Sequence, residues 1–393
     1  MKIVKAEIFD IDCPRRKSWH PVLLRLTTDE GLTGVGEAAM AYGVGRSGAA
    51  HLTKNLVESF ALGADPTDTE LLWERMYRES FWGLGGGAVV FAAMSAIDMA
   101  CWDIRGKAAG LPVYKLLGGK TNPSLRSYAS QLQFGWGQEQ VESLTDPKDY
   151  AEAALRAVAE GYSCVKVDPL MFDAEGKRHY DLTRMFQPAQ IRMYVDRIEA
   201  IRDAIGSDVD IILEVHGATS VTSALQIARA CEHLDIFYYE EPVNYQNPKL
   251  HEKFAQGTRI PVAGGERIYT RSGLRPYLES QSLDVLQPDI GLTGGLTEAK
   301  KVCDYAHMYD VGIQAHVCGS PISTAAALHL ETVIPNFTIH EHHTYAMKSW
   351  NIELCDVDLQ PVQGTFTVPE TPGLGIGLND AVVCRSPNMV ITA

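Results

Sequence analysis

Six ionisable residues recur at near-constant spacing in the second half of this chain. They are Glu214, Glu240, Glu266, Asp289, His316 and Glu341, separated by 26, 26, 23, 27 and 25 residues. Each closes a short apolar, β-rich run. One strand-helix unit of an α/β barrel takes roughly 30 residues, and barrel active sites form at the C-terminal ends of the strands. The spacing therefore places one acid or imidazole per unit at the face where chemistry is expected. A single strand often ends in a solvated charge; six in succession point to a site.

The residue types say what that site would do. Three converging carboxylates, Glu214, Glu240 and Glu266, repel one another unless a cation lies between them. An all-oxygen set suits Mg²⁺, with Mn²⁺ as the alternative, rather than zinc. Such a cation binds a substrate carboxylate and stabilises the charge that develops when the adjacent carbon loses a proton. His316 is the candidate base, with Asp289 to orient its ring. Glu341, if protonated, would hydrogen-bond the far oxygen of the developing anion. Residues i and i+2 share a strand face, so Glu214-Val215-His216 points His216 the same way as the metal ligand, as a candidate acid on the side away from His316. Its alternative is a satisfied structural histidine. In Lys166-Val167-Asp168 the two charges also share a face. Lys166 would stabilise negative charge or position His216, and a structural Lys166–Asp168 ion pair is the alternative. Asp168, Glu341, His20 and Trp19 are the candidate substrate-binding residues.

The elements that must position these groups follow from hydrophobic periodicity. Residues 1–124 read as an α+β unit, with strands at 2–9, 21–27 and 32–37 and helices at 48–61, 68–79 and 88–108. From 125 the pattern becomes alternating. Strands are expected at 125–130, 164–168, 210–216, 236–240, 261–266, 283–289, 312–316 and 337–341, with helices between most of them, among them 148–160, 190–205, 221–233, 294–308 and 321–332. This predicts a modified (β/α)7β TIM-like barrel over 125–359, an α/β fold with an α+β capping domain. Residues 360–393 leave the rhythm and are expected to return to the cap. Residues 170–190 form a polar insertion after the second barrel strand. Arg15, Arg16, Trp19, His20 and Tyr42 lie in cap loops that could close over a substrate.

Composition narrows the partners. The chain has 393 residues, 46% hydrophobic and 21% charged, and a formal net charge of −14. No run reaches the roughly 18 apolar residues of a membrane helix. The acidic balance and the lack of a dense Lys/Arg run argue against nucleic acid. Eight scattered cysteines without a C-x-x-C pair fit buried thiols in a cytoplasmic protein, not a disulfide framework. Gly83-Leu84-Gly85-Gly86-Gly87-Ala88 follows a helical pattern, not a strand, and so fails the context of a dinucleotide-binding loop. His340 and His342 alternate with Glu341 and face away from it.

Several longer motifs resemble the mandelate-racemase-like branch of the enolase superfamily. They are Tyr239-Glu240-Glu241-Pro242, Gly264-Gly265-Glu266-Arg267, Gln287-Pro288-Asp289 and Gly294-Gly295-Leu296-Thr297, with Ala96-Ile97-Asp98, Trp102-Asp103 and Leu116-Leu117-Gly118-Gly119 before them and Pro372-Gly373-Leu374-Gly375 after. The resemblance spans nearly the whole chain and implies a capped barrel that abstracts a proton beside a carboxylate with Mg²⁺. Glu214-Val215-His216-Gly217 and Pro335-Asn336-Phe337 resemble the galactonate- and mannonate-type acid-sugar dehydratases. Two positions depart from the pattern: Glu214 stands where Asp is usual, and Asp168 where racemases carry a second Lys. One base and one acid, rather than two bases, favour dehydration. The expectation is an Mg²⁺-dependent aldonate dehydratase, a homo-oligomer, giving a 2-keto-3-deoxy acid. An epimerase or cycloisomerase on the same scaffold, or a non-catalytic acid-sugar-binding homologue, are the alternatives.

Overall fold

The structure, a computed structural model, describes residues 1–393 except 14, 16, 17, 138–140, 180 and 181. The chain opens with three antiparallel strands, β1 (Ile3–Asp10), β2 (Val22–Thr28) and β3 (Thr33–Ala38). Helices α1 (Arg46–Leu56), α2 (Thr69–Glu79), α3 (Ala88–Ala109) and α4 (Val113–Leu116) follow. The loose glycine motif precedes α3 and follows α2, so no strand feeds it. Helix α3 is buried on nearly every side. Its alanines let β3 lie directly on it: a Cβ at Gly34 or Gly36 would fall 2.1 or 2.0 Å from the carbonyl oxygens of Ala100 and Ala96. The helix ends where Gly110 takes a left-handed conformation, a common helix stop.

The barrel strands are β4 (Leu125–Ser130), β5 (Cys164–Val167), β6 (Asp210–Glu214), β7 (Ile236–Glu240), β8 (Val262–Gly264), β9 (Val285–Leu286), β10 (Gly312–Ile313) and β11 (His340–His343). They pair in parallel in chain order, and β11 returns to β4. A parallel bridge between Ile313 and Phe337 joins the remaining edge. Seven helices alternate with the eight strands: α5 (Pro147–Ala159), α6 (Pro188–Ile205), α7 (Val221–Cys231), α8 (Pro248–Ala255), α9 (Thr270–Glu279), α10 (Gly295–His307) and α11 (Pro321–Glu331). Asp146, Asn247 and Ser320 each accept an N-cap hydrogen bond just ahead of a first-turn proline, which fixes where those helices begin.

Strand alternation builds the interior in layers. Tyr128, Cys164, Ile212, Tyr238 and Ile339 form an apolar layer. Two residues further along the same strands stand Ser130, Lys166, Glu214, Glu240 and Glu341, all buried. The apolar floor and the polar site are thus consecutive inward-facing positions of one barrel.

The third quarter of the barrel departs from expectation. The strands expected to end at Glu266, Asp289 and His316 stop at Gly264, Leu286 and Ile313. Gly265, at φ 141°, turns the chain. Pro288 has no N–H to continue a ladder. The Ala315 N–H bonds the Glu331 side chain instead of a strand, and only an isolated bridge joins Asp289 to His316.

The tail contributes two strands. β12 (Thr365–Phe366) pairs antiparallel with the start of β4, and β13 (Asn388–Thr392) pairs with β1, giving a cap sheet in the order β13-β1-β2-β3. Cap and barrel lock through Ser95, which accepts from the N–H groups of Gly294 and Gly295, and Asp98, which accepts from that of Thr297. Among the described residues no helix is long and apolar enough to cross a membrane. Among the described residues no disulfide joins the eight cysteines, and seven of them are buried.

Candidate active site

Glu214, Glu240 and Glu266 meet at the C-terminal mouth of the barrel. One carboxylate oxygen from each lies within 4.8 Å of the others, and all three side chains are buried. Glu214 and Glu240 are the last residues of neighbouring strands in register. Glu266 joins them from two residues past β8, delivered by the turn at Gly265.

Charge around the triad is uneven. Lys166 Nζ lies 2.7 Å from Glu240 Oε1, 3.0 Å from Glu341 Oε1 and 3.4 Å from Glu214 Oε2. Arg267 pairs with both Glu241 and Glu266. Burial raises the Glu240 carboxyl to about 8, with Lys166 opposing and Glu214 adding to the rise. Burial raises Glu214 as well. For Glu266 burial is outweighed by Arg267 and His316, which hold it down at about 2.

The triad fits a divalent cation on two grounds. Every donor is a hard oxygen at carboxylate spacing. Glu240 Oε2 is buried without a hydrogen-bond partner, a costly arrangement unless something positive completes it.

Two imidazoles face the triad. His316 Nδ1 lies 2.7 Å from Asp289 Oδ2, and its Nε2 lies 3.4 Å from Glu266 Oε2. Asp289 is held in turn by the Gly291 N–H. His216 Nδ1 lies 2.8 Å from Asp168 Oδ2, and its Nε2 lies 3.0 Å from Glu214 Oε1. Burial lowers both rings, but neighbouring carboxylates more than compensate. His316 is raised to about 10, chiefly by Glu266 and the Asp289 bond, and His216 to about 9, chiefly by Glu214 and Asp168. The two rings leave strands β6 and β10, four apart in a ring of eight, so they approach from opposite sides.

Several residues sit differently from the sequence expectation. His216 is not on a strand: at φ 49° it lies past the end of β6, and a turn rather than strand alternation brings it to Glu214. Asp168, expected at the substrate, instead gives its carboxylate to His216 and to the Leu170 N–H, so it orients the imidazole. Lys166 does not position His216 and makes no ion pair with Asp168; its partners are the three glutamates. Glu341 is not placed as a proton donor. Its oxygens accept from Ser130, Lys166 and the Val317 N–H, and although burial opposes ionisation, Lys166 and His316 hold it well below the usual carboxylate range. Trp19 is fully buried against Tyr345 and Trp350, at 5.2 and 5.7 Å, because its indole completes an aromatic cluster beneath the cap loop. His20 is half-buried, its Nδ1 3.4 Å from the Ile11 carbonyl. Arg15 bonds Ser349 at 2.6 Å, and Arg16 lies outside the described residues. His340 and His342 face outward, paired with Glu331 and Tyr162.

A cavity of about 420 Å³ opens over the two histidines. Ser18, Tyr42, Gln131, Phe134, Met171, Arg178, Cys318, His343 and Tyr345 complete its wall. Most of these carry no periodic or charge signal, so the sequence did not single them out; Tyr42 was legible from its loop. Glu37, at the end of β3, accepts from the N–H and hydroxyl of Ser320 and the hydroxyl of Ser323, pinning the loop that follows His316 to the cap.

The chain resembles known proteins over nearly its whole length. Residues 10–118 match the N-terminal domain of the mandelate racemase/muconate lactonizing enzyme family, and residues 149–382 match the enolase C-terminal domain-like family. The chain is 32% identical over 384 residues to a D-xylonate dehydratase of Haloferax volcanii, covering 96% of this chain and 88% of that one. It is 33% identical over 368 residues to a D-galactonate dehydratase of Verminephrobacter eiseniae, covering 92% and 90%. A solved structure from Zymomonas mobilis ZM4 superposes with a TM-score of 0.97 at 48% identity, and a member of the enolase superfamily from Salmonella Typhimurium with 0.96 at 49%, each covering all of both chains. The chain belongs to the mandelate racemase/muconate lactonizing enzyme family of the enolase superfamily.

Proposed function

We propose that this protein is a Mg²⁺-dependent acid-sugar dehydratase that converts an aldonate to a 2-keto-3-deoxy acid. The observation that carries the reading is the pair of His–Asp dyads on opposite sides of a carboxylate triad. The dehydratase relatives support the reaction class.

Glu214, Glu240 and Glu266 would hold the cation. When bound it supplies positive charge that offsets the carboxylates, moderates the basicity Glu266 imposes on His316, and draws electron density from the substrate carboxylate. His316 Nε2 takes the proton from C2, while Asp289 holds Nδ1–H and stabilises the imidazolium that results. The electron pair left by the C2–H bond delocalises into the substrate carboxylate and then forms a C2–C3 double bond as the C3–O bond breaks. His216 Nε2–H gives its proton to the departing hydroxyl, which leaves as water. Asp168 on Nδ1 favours the protonated form of His216, which an acid needs. The resulting enol takes a proton at C3, loses the proton of its C2 hydroxyl, and becomes the 2-keto acid. Lys166, buried and held well above its ordinary pKa by the three glutamates, keeps a fixed positive charge beside the reacting carboxylate.

The test is a panel of aldonates with Mg²⁺, assayed for 2-keto acid and for solvent deuterium at C2. Water loss on at least one aldonate is expected. Deuterium exchange without water loss would replace the dehydratase with an epimerase, and binding with neither would make the protein an acid-sugar binder.

A further inference from the structure

Glu214 stands where Asp is usual in the family its motifs resemble, and the structure contains a ring of four hydrogen bonds, closed by one ion pair, that uses the reach of the longer side chain. Gln131 Nε2 donates to Glu214 Oε2 at 2.6 Å. Gln131 Oε1 accepts from Gln133 Nε2. Gln133 Oε1 accepts from the Asp168 N–H at 3.1 Å. Asp168 Oδ2 hydrogen-bonds His216 Nδ1, and an ion pair from His216 Nε2 to Glu214 Oε1, at 3.0 Å, closes the ring.

The polarity of this ring is fixed at both ends. A backbone N–H can only donate, so Gln133 must present its oxygen to Asp168 and its NH₂ to Gln131. Gln131 must then present its NH₂ to Glu214, a carboxylate that can only accept. Both glutamines are buried. Gln131 holds a left-handed backbone, φ 70° and ψ 48°, which a non-glycine residue adopts at a cost and which recurs at functional sites.

We propose that Gln131 and Gln133 are positioning residues for Glu214. They pin one carboxylate oxygen so that the other faces His216, coupling the cation ligand to the acid dyad. An Asp at 214 would withdraw its carboxylate by about 1.5 Å, one C–C bond, and break both contacts. The ring therefore accounts for Glu214 and makes its identity depend on Gln131. This rests on the cation site proposed above.

The test measures Mn²⁺ binding without substrate, by electron paramagnetic resonance of the free ion, on wild type, Gln131→Asn, Gln131→Leu and Gln133→Leu, with thermal melting as the folding control. Asn tolerates positive φ but is too short to reach Glu214. The Gln131 variants should bind about 10- to 100-fold more weakly, as for loss of a partner that orients a metal ligand, and Gln133→Leu should lose less. In a Glu214→Asp background Gln131→Asn should cost nothing further, since the contact is already gone. A general packing role would lower the melting temperature and leave the affinity of the folded protein unchanged. A folded Gln131→Asn or Gln133→Leu protein that binds Mn²⁺ as tightly as wild type overturns the proposal. A wild type that binds no Mn²⁺ overturns the cation site itself, a separate and distinguishable result.

Discussion

Glu240→Gln should stabilise the cation-free protein at alkaline pH. Burial, opposed by Lys166 and reinforced by Glu214 and Glu341, raises the Glu240 carboxyl from 4.5 to about 8. Between those values the native state keeps a proton that the unfolded chain has released. Stability from this group is therefore lost as pH rises, by about 1.4 kcal/mol per pH unit. Across the window the loss is on the order of several kcal/mol, a large share of the roughly 5–15 kcal/mol that separates folded from unfolded domains. Glutamine has the same shape and no such proton, and Lys166 keeps Glu341 and Glu214 as partners. Other groups also shift: His216 and His316 lose stability as pH rises above 6.5, and His251 and His329, lowered to about 4 by burial, gain it up to 6.5. These act in both proteins and largely cancel in the difference. The assay is thermal melting from pH 5 to 8 in chelator and again in Mg²⁺. In chelator the two proteins should melt together near pH 5 and separate toward pH 8, the variant higher. In Mg²⁺ wild type should recover at pH 8 and the variant gain less. Parallel curves, or a variant that melts lower throughout, would refute the reasoning.

Other substitutions separate the two halves of the reaction. His316→Asn should abolish both C2 deuterium exchange and water loss, each by about 10²- to 10⁴-fold, read by proton NMR in D₂O. His216→Asn should cut water loss by a similar factor while exchange at C2 persists; equal loss of both would remove His216 from the acid role. Asp168→Asn should follow His216→Asn in direction with a smaller loss, since it acts through the imidazole. Arg197→Met removes a buried guanidinium that donates to the carbonyls of Pro169, Phe172 and Asp173, in the segment leading out of Asp168, and to that of Thr145 just before α5. Each stranded carbonyl costs about 1–3 kcal/mol, so urea denaturation should show a loss of several kcal/mol.

The carboxylate ladder was legible because strand-helix units recur at nearly constant length, and an acid in phase with that recurrence stands out. The eight barrel strands were legible for the same reason, and β4 and β7 match their expected limits. What failed was anything decided by contacts remote in sequence. Asp168 and His216 are 48 residues apart, and no pattern within either segment announces the pair. Gln131 is one neutral amide after a strand, important only for what it meets. Strand alternation gave His216 the right neighbour for the wrong reason, since the chain has already turned at φ 49°. Helix α8 is only eight residues long, and α9 carries Pro276 in its interior; length and a helix breaker kept both from being singled out. Trp19 failed because an aromatic residue in a polar loop reads equally as a substrate contact or as the anchor of that loop.

The order of the cap sheet has a consequence for biosynthesis. Strand β1 lies between β2 and β13, so a strand made before the barrel is paired on one edge by a strand made after it, with Lys5 opposite Thr392. The barrel strands are all made before β13 emerges, and until then one edge of β1 presents unpaired amides and carbonyls, the kind of edge that recruits wrong partners. Strand β13 thus acts as a latch set after the barrel strands are made. Removing β13 should show its first effect as self-association during folding, while the carboxylate centre, carried wholly by residues made earlier, stays intact in whatever reaches the soluble fraction.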